Sequence, residues 1–250
     1  MNKLSFVGAF IILFSIAFTQ MYHGSSVAAL FDLPALVIVL GGTIGAILIQ
    51  TSARQFFHAL SLLPSIFLYS HLSLSEQSKR LHQWSEQSRK KGLLTLEKEN
   101  LEKLDHFTQK SIAMLVDGCD KYALQDILQQ DIELECEHNE RSAQIYESMG
   151  GYSPTIGIIG AVLGLIQAMN YLDKPDQLGA GIAVAFLATI YGVGFANFLF
   201  LPIANKIRLH YQYVALYREM TLVGILAILK GENSLLLERR LQNYIDKASY

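Results

Sequence analysis

Residues 148–172 read SMGGYSPTIGIIGAVLGLIQAMNYL, twenty-five positions with no Asp, Glu, Lys or Arg. About 20 apolar residues carry a helix across the hydrocarbon core. Lipid cannot satisfy a bare backbone, so such a run must be helical. Gly157, Gly160, Ala161 and Gly164 give it a small-residue surface on which another helix can pack closely. The stretch therefore reads as a transmembrane helix. Three more windows share its lack of charge: 4–31, apolar mainly over Leu4–Met21, then Leu33–Ala53 and Gln177–Asn205. Over the 250 residues, 51% are hydrophobic and only 17% charged, against about 25% charged in soluble chains. The deficit is uneven, because the middle of the chain is densely charged. This is the composition of a polytopic membrane protein with a sizeable aqueous domain. It excludes a secreted disulfide module and a disordered chain. A net charge of −2 carries no footprint for nucleic acid.

A fifth uncharged window, Gln55–Ser75, holds His58, Ser61, Pro64, Ser65, Ser70, His71, Ser73 and Ser75. Its apolar residues favour one side, which predicts an amphipathic helix on the membrane surface, not a fifth span. With four spans, 19 of the 20 Lys and Arg share one side and only Lys174 lies opposite. The flanking bases Lys3, Arg54, Lys206 and Arg208 put that side, and both termini, in the cytoplasm. Lys3 followed by an apolar run imitates a signal peptide, but no small-x-small cleavage site follows promptly, so a retained first span is expected. The expected fold is all-α: transmembrane helices one and two in 1–54, an interfacial helix and helical cytoplasmic domain in 55–147, transmembrane helices three and four in 148–205, and cytoplasmic helices in 206–250.

In the charged middle, Ile112, Leu115 and Val116, then Leu124, Ile127 and Leu128, recur at helical spacing. In the tail, Leu235, Leu236, Leu237, Leu241 and Ile245 are suited to packing, and Gly231 and Asn233 mark a break. Cys119 and Cys136 are too far apart for a metal pair and read as reduced cysteines. The seven histidines show no ligand spacing. No phosphate loop, nucleophile elbow or HExxH is present. No enzyme chemistry and no cofactor are read from the sequence.

The spans carry no acid or base, although ion-conducting proteins place ionisable groups there at a cost of about 2.5–3.5 kcal/mol. They carry small residues instead: Gly41, Gly42, Gly45 and Ala46 in the second, and Gly179, Gly181, Ala185, Ala188, Gly192 and Gly194 in the fourth. These either pack the chain against itself or form a smooth wall around helices of another protein. Thr189 either bonds back to its own helix or donates to a carboxylate or water on a partner. Pro154 opens the third span, where proline is cheap. Pro202 lies inside the fourth apolar segment and predicts a kink, static or hinged. Arg89-Lys90-Lys91-Gly92-Leu93-Leu94-Thr95-Leu96-Glu97 reads as a solvated loop followed by a helix start.

Taken together, Gly41-Gly42-Thr43, the 89–97 run, Glu147 to Gly160, Thr189-Ile190-Tyr191-Gly192 and Leu201-Pro202-Ile203-Ala204 resemble the A subunit of bacterial flagellar stators, the MotA/PomA family, over nearly the full length. The resemblance implies five A subunits around two single-span B subunits. Each B subunit brings a membrane aspartate and a peptidoglycan-binding domain. It also implies a cytoplasmic domain that turns the rotor's C ring, a FliG-like partner, in a complex set in inner-membrane lipid. Arg89 and Lys90 match the family's basic rotor-contacting positions and Glu97 its acidic one. Pro154 and Pro202 match its two coupling prolines. Thr189 matches the threonine facing the B-subunit aspartate, with Thr155 and Tyr191 also assigned to the ion path. Sodium-driven members carry a second threonine where this chain has Ala161; a methyl offers no oxygen ligand, so the transported ion is expected to be the proton. An ExbB/TolQ-type energising subunit, a sodium-driven stator, a transporter and a membrane scaffold are the competing readings. The 89–97 run and the span order favour the stator.

Overall fold

The computed structural model describes residues 3–22, 24, 27–64, 72–98, 104–173 and 175–248. The described residues form helices and no strand. In chain order these are α1 (Lys3–Tyr22), a 3₁₀ turn (Val27–Leu30), α2 (Leu33–Gln50), α3 (Ala53–Ser61), α4 (Leu74–Lys91), a second 3₁₀ segment (Leu93–Lys98), α5 (His106–Val116), α6 (Lys121–Met169), α7 (Pro175–Phe195), a π-helical turn (Ala196–Phe200), α8 (Leu201–Leu229) and α9 (Ser234–Ala248). The chain divides into two compact units, residues 1–69 with 140–208, and 70–139 with 209–250.

Among the described residues, three helical runs are long and apolar enough to cross a membrane: α2, α6, and the stretch Leu178–Leu229 through the π turn. The apolar run of α1, Phe10–Tyr22, is shorter. Phe10, Phe14, Phe18 and Tyr22 stack in sequence along an exposed face of α1, with centroids 6.0 to 6.4 Å apart. Asp32 caps α2, its carboxylate accepting the Ala35 N–H at 2.8 Å, with Pro34 in the first turn, where its missing N–H costs nothing. α6 and α7 meet on glycine. A Cβ on Gly157 would stand 2.8 Å from the Ala188 carbonyl oxygen, and one on Gly192 would stand 2.7 Å from that of Ser153. Gly164 and Gly181 approach the opposite backbone equally closely. Gly42 abuts Ile156, while Gly41, Gly45 and Gly179 face open space. One set of small residues thus packs the chain internally and another faces open space.

The expected surface helix begins as α3, opened by a reciprocal capping box between Ser52 and Gln55. Residues 65–71 of that window lie outside the described residues, as does Lys174. Ala59 is buried while Phe57 and Leu60 stay exposed. The Tyr146 hydroxyl donates to the Ala59 carbonyl at 3.1 Å, and burial pushes that phenol up to about 12, keeping it a neutral donor. Pro154 does not open a helix. It lies inside the 49-residue α6, which runs unbroken from the charged segment into the apolar one. At Pro202 the anomaly lies upstream of the expected kink, as the π turn of Ala196–Phe200. Widening the helix there accommodates a residue that cannot donate.

The core of the second unit gathers Leu81, Trp84, Leu96, Ile112, Leu115, Leu124, Leu128, Tyr217, Ile225, Leu237 and Leu241. Ile127 is 39% exposed, and Leu235 and Leu236 are 66% and 49% exposed, contrary to the packing expected of these leucines. The inward stripe of α9 is Leu237, Leu241 and the partly buried Ile245, at helical spacing, and Leu235 and Leu236 fall off it. The break between α8 and α9 falls at Gly231, with φ +65°.

Candidate ion path and contact surface

In the first unit, Ala161 and Thr189 each follow a residue of the tight α6–α7 contact, since a Cβ on Gly160 would stand 2.8 Å from that of Ala188. Both are half-buried. The Thr189 hydroxyl donates to the Ala185 carbonyl at 3.3 Å, and that of Thr155, which is exposed, to Tyr152 at 2.7 Å. Each threonine proton is thus committed to its own helix, and each oxygen keeps acceptor capacity. Tyr191 faces elsewhere. Its hydroxyl donates to the Leu30 carbonyl at 2.5 Å and accepts the Asp32 N–H at 2.8 Å, tying α7 to the turn ahead of α2. Asp32 is not among the residues the sequence analysis singles out. An Asp directly before Leu33-Pro34 is a helix-start signal that could have placed it.

The structure brings the surroundings of the two prolines together. Gly150, four residues before Pro154, is so close to Leu201, next to Pro202, that an added Cβ would stand 2.7 Å from the leucine side chain. Pro154 itself touches α7: its Cα lies 3.2 Å from where a Cβ on Gly192 would stand. Beneath them Arg208 is held by two carboxylates of α6, Glu140 at 2.9 Å and Glu147 at 2.5 Å. The hydrogen bonds it donates to both acids push the guanidinium pKa up, and Arg208 in turn holds the Glu147 carboxyl below its ordinary range. Nothing in the sequence joins residues 68 positions apart, and this cluster was not foreseen.

In the second unit, Arg89, Lys90 and Lys91 occupy the last turn of α4, where they complement the helix dipole. Lys90 pairs with Glu86 at 4.0 Å. Gly92, at φ +84°, turns the chain in a conformation that disfavours side chains. In the 3₁₀ segment that follows, Leu96 is fully buried and Glu97 exposed. Arg89, Lys90 and Glu97 all stand on the surface. Elsewhere in this unit a buried network joins three helices: Gln77 Nε2 donates to the hydroxyls of Thr108 and Thr221, both at 3.1 Å. The Thr108 and Tyr217 hydroxyls donate to Asp105 at 2.6 and 2.9 Å. Burial, with the Asp105 charge, pushes the Tyr217 phenol up. Among the described residues no group of three His, Cys, Asp or Glu is placed to hold a metal.

Residues 6–91 match the motility protein A N-terminal family, and 99–220 the MotA/TolQ/ExbB proton channel family. Motility protein A of Bacillus subtilis is 30% identical over 98% of this chain and 91% of its own length. The chemotaxis protein PomA of Vibrio alginolyticus is 31% identical over 94% of this chain and 92% of its own. The chain belongs to the motility protein A family. Its fold agrees with a solved C. jejuni MotAB structure at a TM-score of 0.91 and 28% identity, covering 98% of this chain and 96% of the other. It agrees likewise with the flagellar MotAB stator complex of Bacillus subtilis at 0.88 and 30% identity, covering 97% and 96%.

Proposed function

We propose that this motility protein A family member is the A subunit of a proton-driven flagellar stator, working in the inner membrane with a B subunit. The observation that carries the reading is the end-to-end likeness to MotAB stator complexes in both sequence and fold. Its relatives' motility names weigh against an ExbB/TolQ-type role. In this reading α1 is the first of four spans, both termini are cytoplasmic, and five chains surround two B-subunit helices. The acid-free spans form a wall, and the partner's aspartate carries the proton. One charge crossing 100 mV releases about 2.3 kcal/mol.

Thr189, its own proton committed to Ala185, offers an oxygen to the protonated carboxyl. Ala161 supplies no oxygen for sodium, and Thr155 and Tyr191 complete the assigned path. The Gly150–Leu201 contact gives Pro154 and Pro202 a common point through which a change at the carboxylate reaches the cytoplasmic helices. Exposed Arg89, Lys90 and Glu97 meet opposite charges on a FliG-like rotor protein, steering engagement more than supplying affinity. Reversing Arg89 to Glu should impair swimming and be partly rescued by an opposite reversal on the rotor. Unchanged swimming would remove Arg89 from the torque path.

A further inference from the structure

A cavity of about 260 Å³ lies where α2 ends, α3 begins and one face of α6 passes. Arg141, Gln144, Ile145 and Ser148 line it at i, i+3, i+4 and i+7 of α6, and Gln50 and Gln55 close the other side. The Thr51 hydroxyl in its lining donates to the Ile47 carbonyl at 2.7 Å and offers only an acceptor, but three other side chains present donors. Gln55 Oε1 accepts the Ser52 backbone N–H at 3.4 Å, which fixes the amide and leaves Nε2 to donate. Gln50 Oε1 accepts the Tyr152 hydroxyl at 2.8 Å, so its NH₂ is likewise a donor. The Arg141 guanidinium has donors only. The neighbouring acids Glu140 and Glu147 are engaged by Arg208, which limits their repulsion of an incoming anion.

The apolar surroundings point to what carries that anion. Leu48 and Ile49, on the last turn of α2, are 49% and 90% exposed, and Phe57 on α3 is 65% exposed. A donor-lined pocket bordered by exposed apolar side chains at the end of a membrane helix fits an amphiphile with an anionic head. We propose that this cavity binds the phosphate of an anionic phospholipid headgroup, with the acyl chains lying along α2 and α3. The inference rests on the membrane placement of α2 in the proposed function.

The test uses the complex of this chain with its B subunit in nanodiscs of phosphatidylcholine containing a minor fraction of phosphatidylglycerol. Insertion into the discs checks the membrane reading separately. Native mass spectrometry then weighs the lipids that stay bound. Phosphatidylglycerol should be enriched about ten-fold over its bulk fraction. Arg141→Gln and Gln55→Glu should each cut that enrichment several-fold; Glu at this position keeps the capping box intact. Lys247→Gln, which removes one positive charge elsewhere, should leave it unchanged. Free glycerol 3-phosphate should not displace the lipid. No enrichment in the unaltered complex, or enrichment untouched by both cavity variants, would overturn the proposal. Full displacement by glycerol 3-phosphate would assign the site to a soluble phosphate and overturn the lipid.

Discussion

A Cβ added to Gly157 would meet the Ala188 carbonyl oxygen at 2.8 Å and the Cα of Gly192 at 3.2 Å, whereas one added to Gly41 would meet nothing within 4 Å. Gly157→Ala must therefore push two backbones apart, an overpacking cost of about 1–3 kcal/mol. Gly41→Ala should leave the chain's own fold intact and gain slightly in helix propensity. Thermal unfolding of the detergent-purified complex separates the two, and equal melting temperatures would show that the α6–α7 contact is not tight. The sequence displays both glycines alike, because spacing reveals a small-residue surface but not which helix lies against it. Ala161 is different: its meaning is chemical, since a methyl has no oxygen to offer. Motility should follow the proton gradient and survive sodium depletion, and strict sodium dependence in a swimming assay would refute that assignment.

Helices end and continue for reasons the sequence shows only in part. The start of α2 was written in Asp32 and Pro34, and the break after α8 in Gly231. The continuity of α6 was not, because a proline after a charged segment resembles a helix start, and only packing decides that the two segments fuse. At the other proline the π turn of Ala196–Phe200 precedes Pro202, a local widening often found at functional positions. Pro202→Ala supplies the missing N–H and removes the reason for that widening. The expected outcome is a complex that assembles normally, by co-purification of the B subunit, but swims poorly. Normal swimming would make the turn a static accommodation. Arg208 joins α6 to α8 through Glu140 and Glu147. The Glu147 carboxyl is held below its ordinary value of 4.5 by that arginine. Its contribution is therefore present above pH 4.5 and is lost as pH falls through the depressed value. The glutamate is 52% exposed, so the pair contributes under about 1 kcal/mol. Glu147→Gln should lower stability at pH 7, and the difference from the unaltered protein should vanish in acid. A constant difference across a pH series of melting curves would mean that the pairing is not ionic.

At the scale of the whole molecule, the charge-free windows and the helical spacing of Ile112, Leu115, Leu124 and Leu128 made the all-helical architecture and the core of the charged unit legible. The buried network around Gln77, Thr108, Asp105 and Tyr217 was not, because its members are polar residues scattered over more than 100 positions and nothing local marks them as neighbours. The same holds for the cavity beside Arg141. The role of the assembly turns on a missing group, since no acid lies in the charge-free windows 33–53, 148–172 and 177–205. If the wall is inert, the titrating carboxylate belongs to the partner. Proton flux into liposomes under an imposed potential measures this directly, with this chain reconstituted alone and then together with its B subunit freed of any plug. The account predicts no flux above empty liposomes for the chain alone and clear flux for the pair. Conduction at comparable rates by the chain without its partner would contradict it.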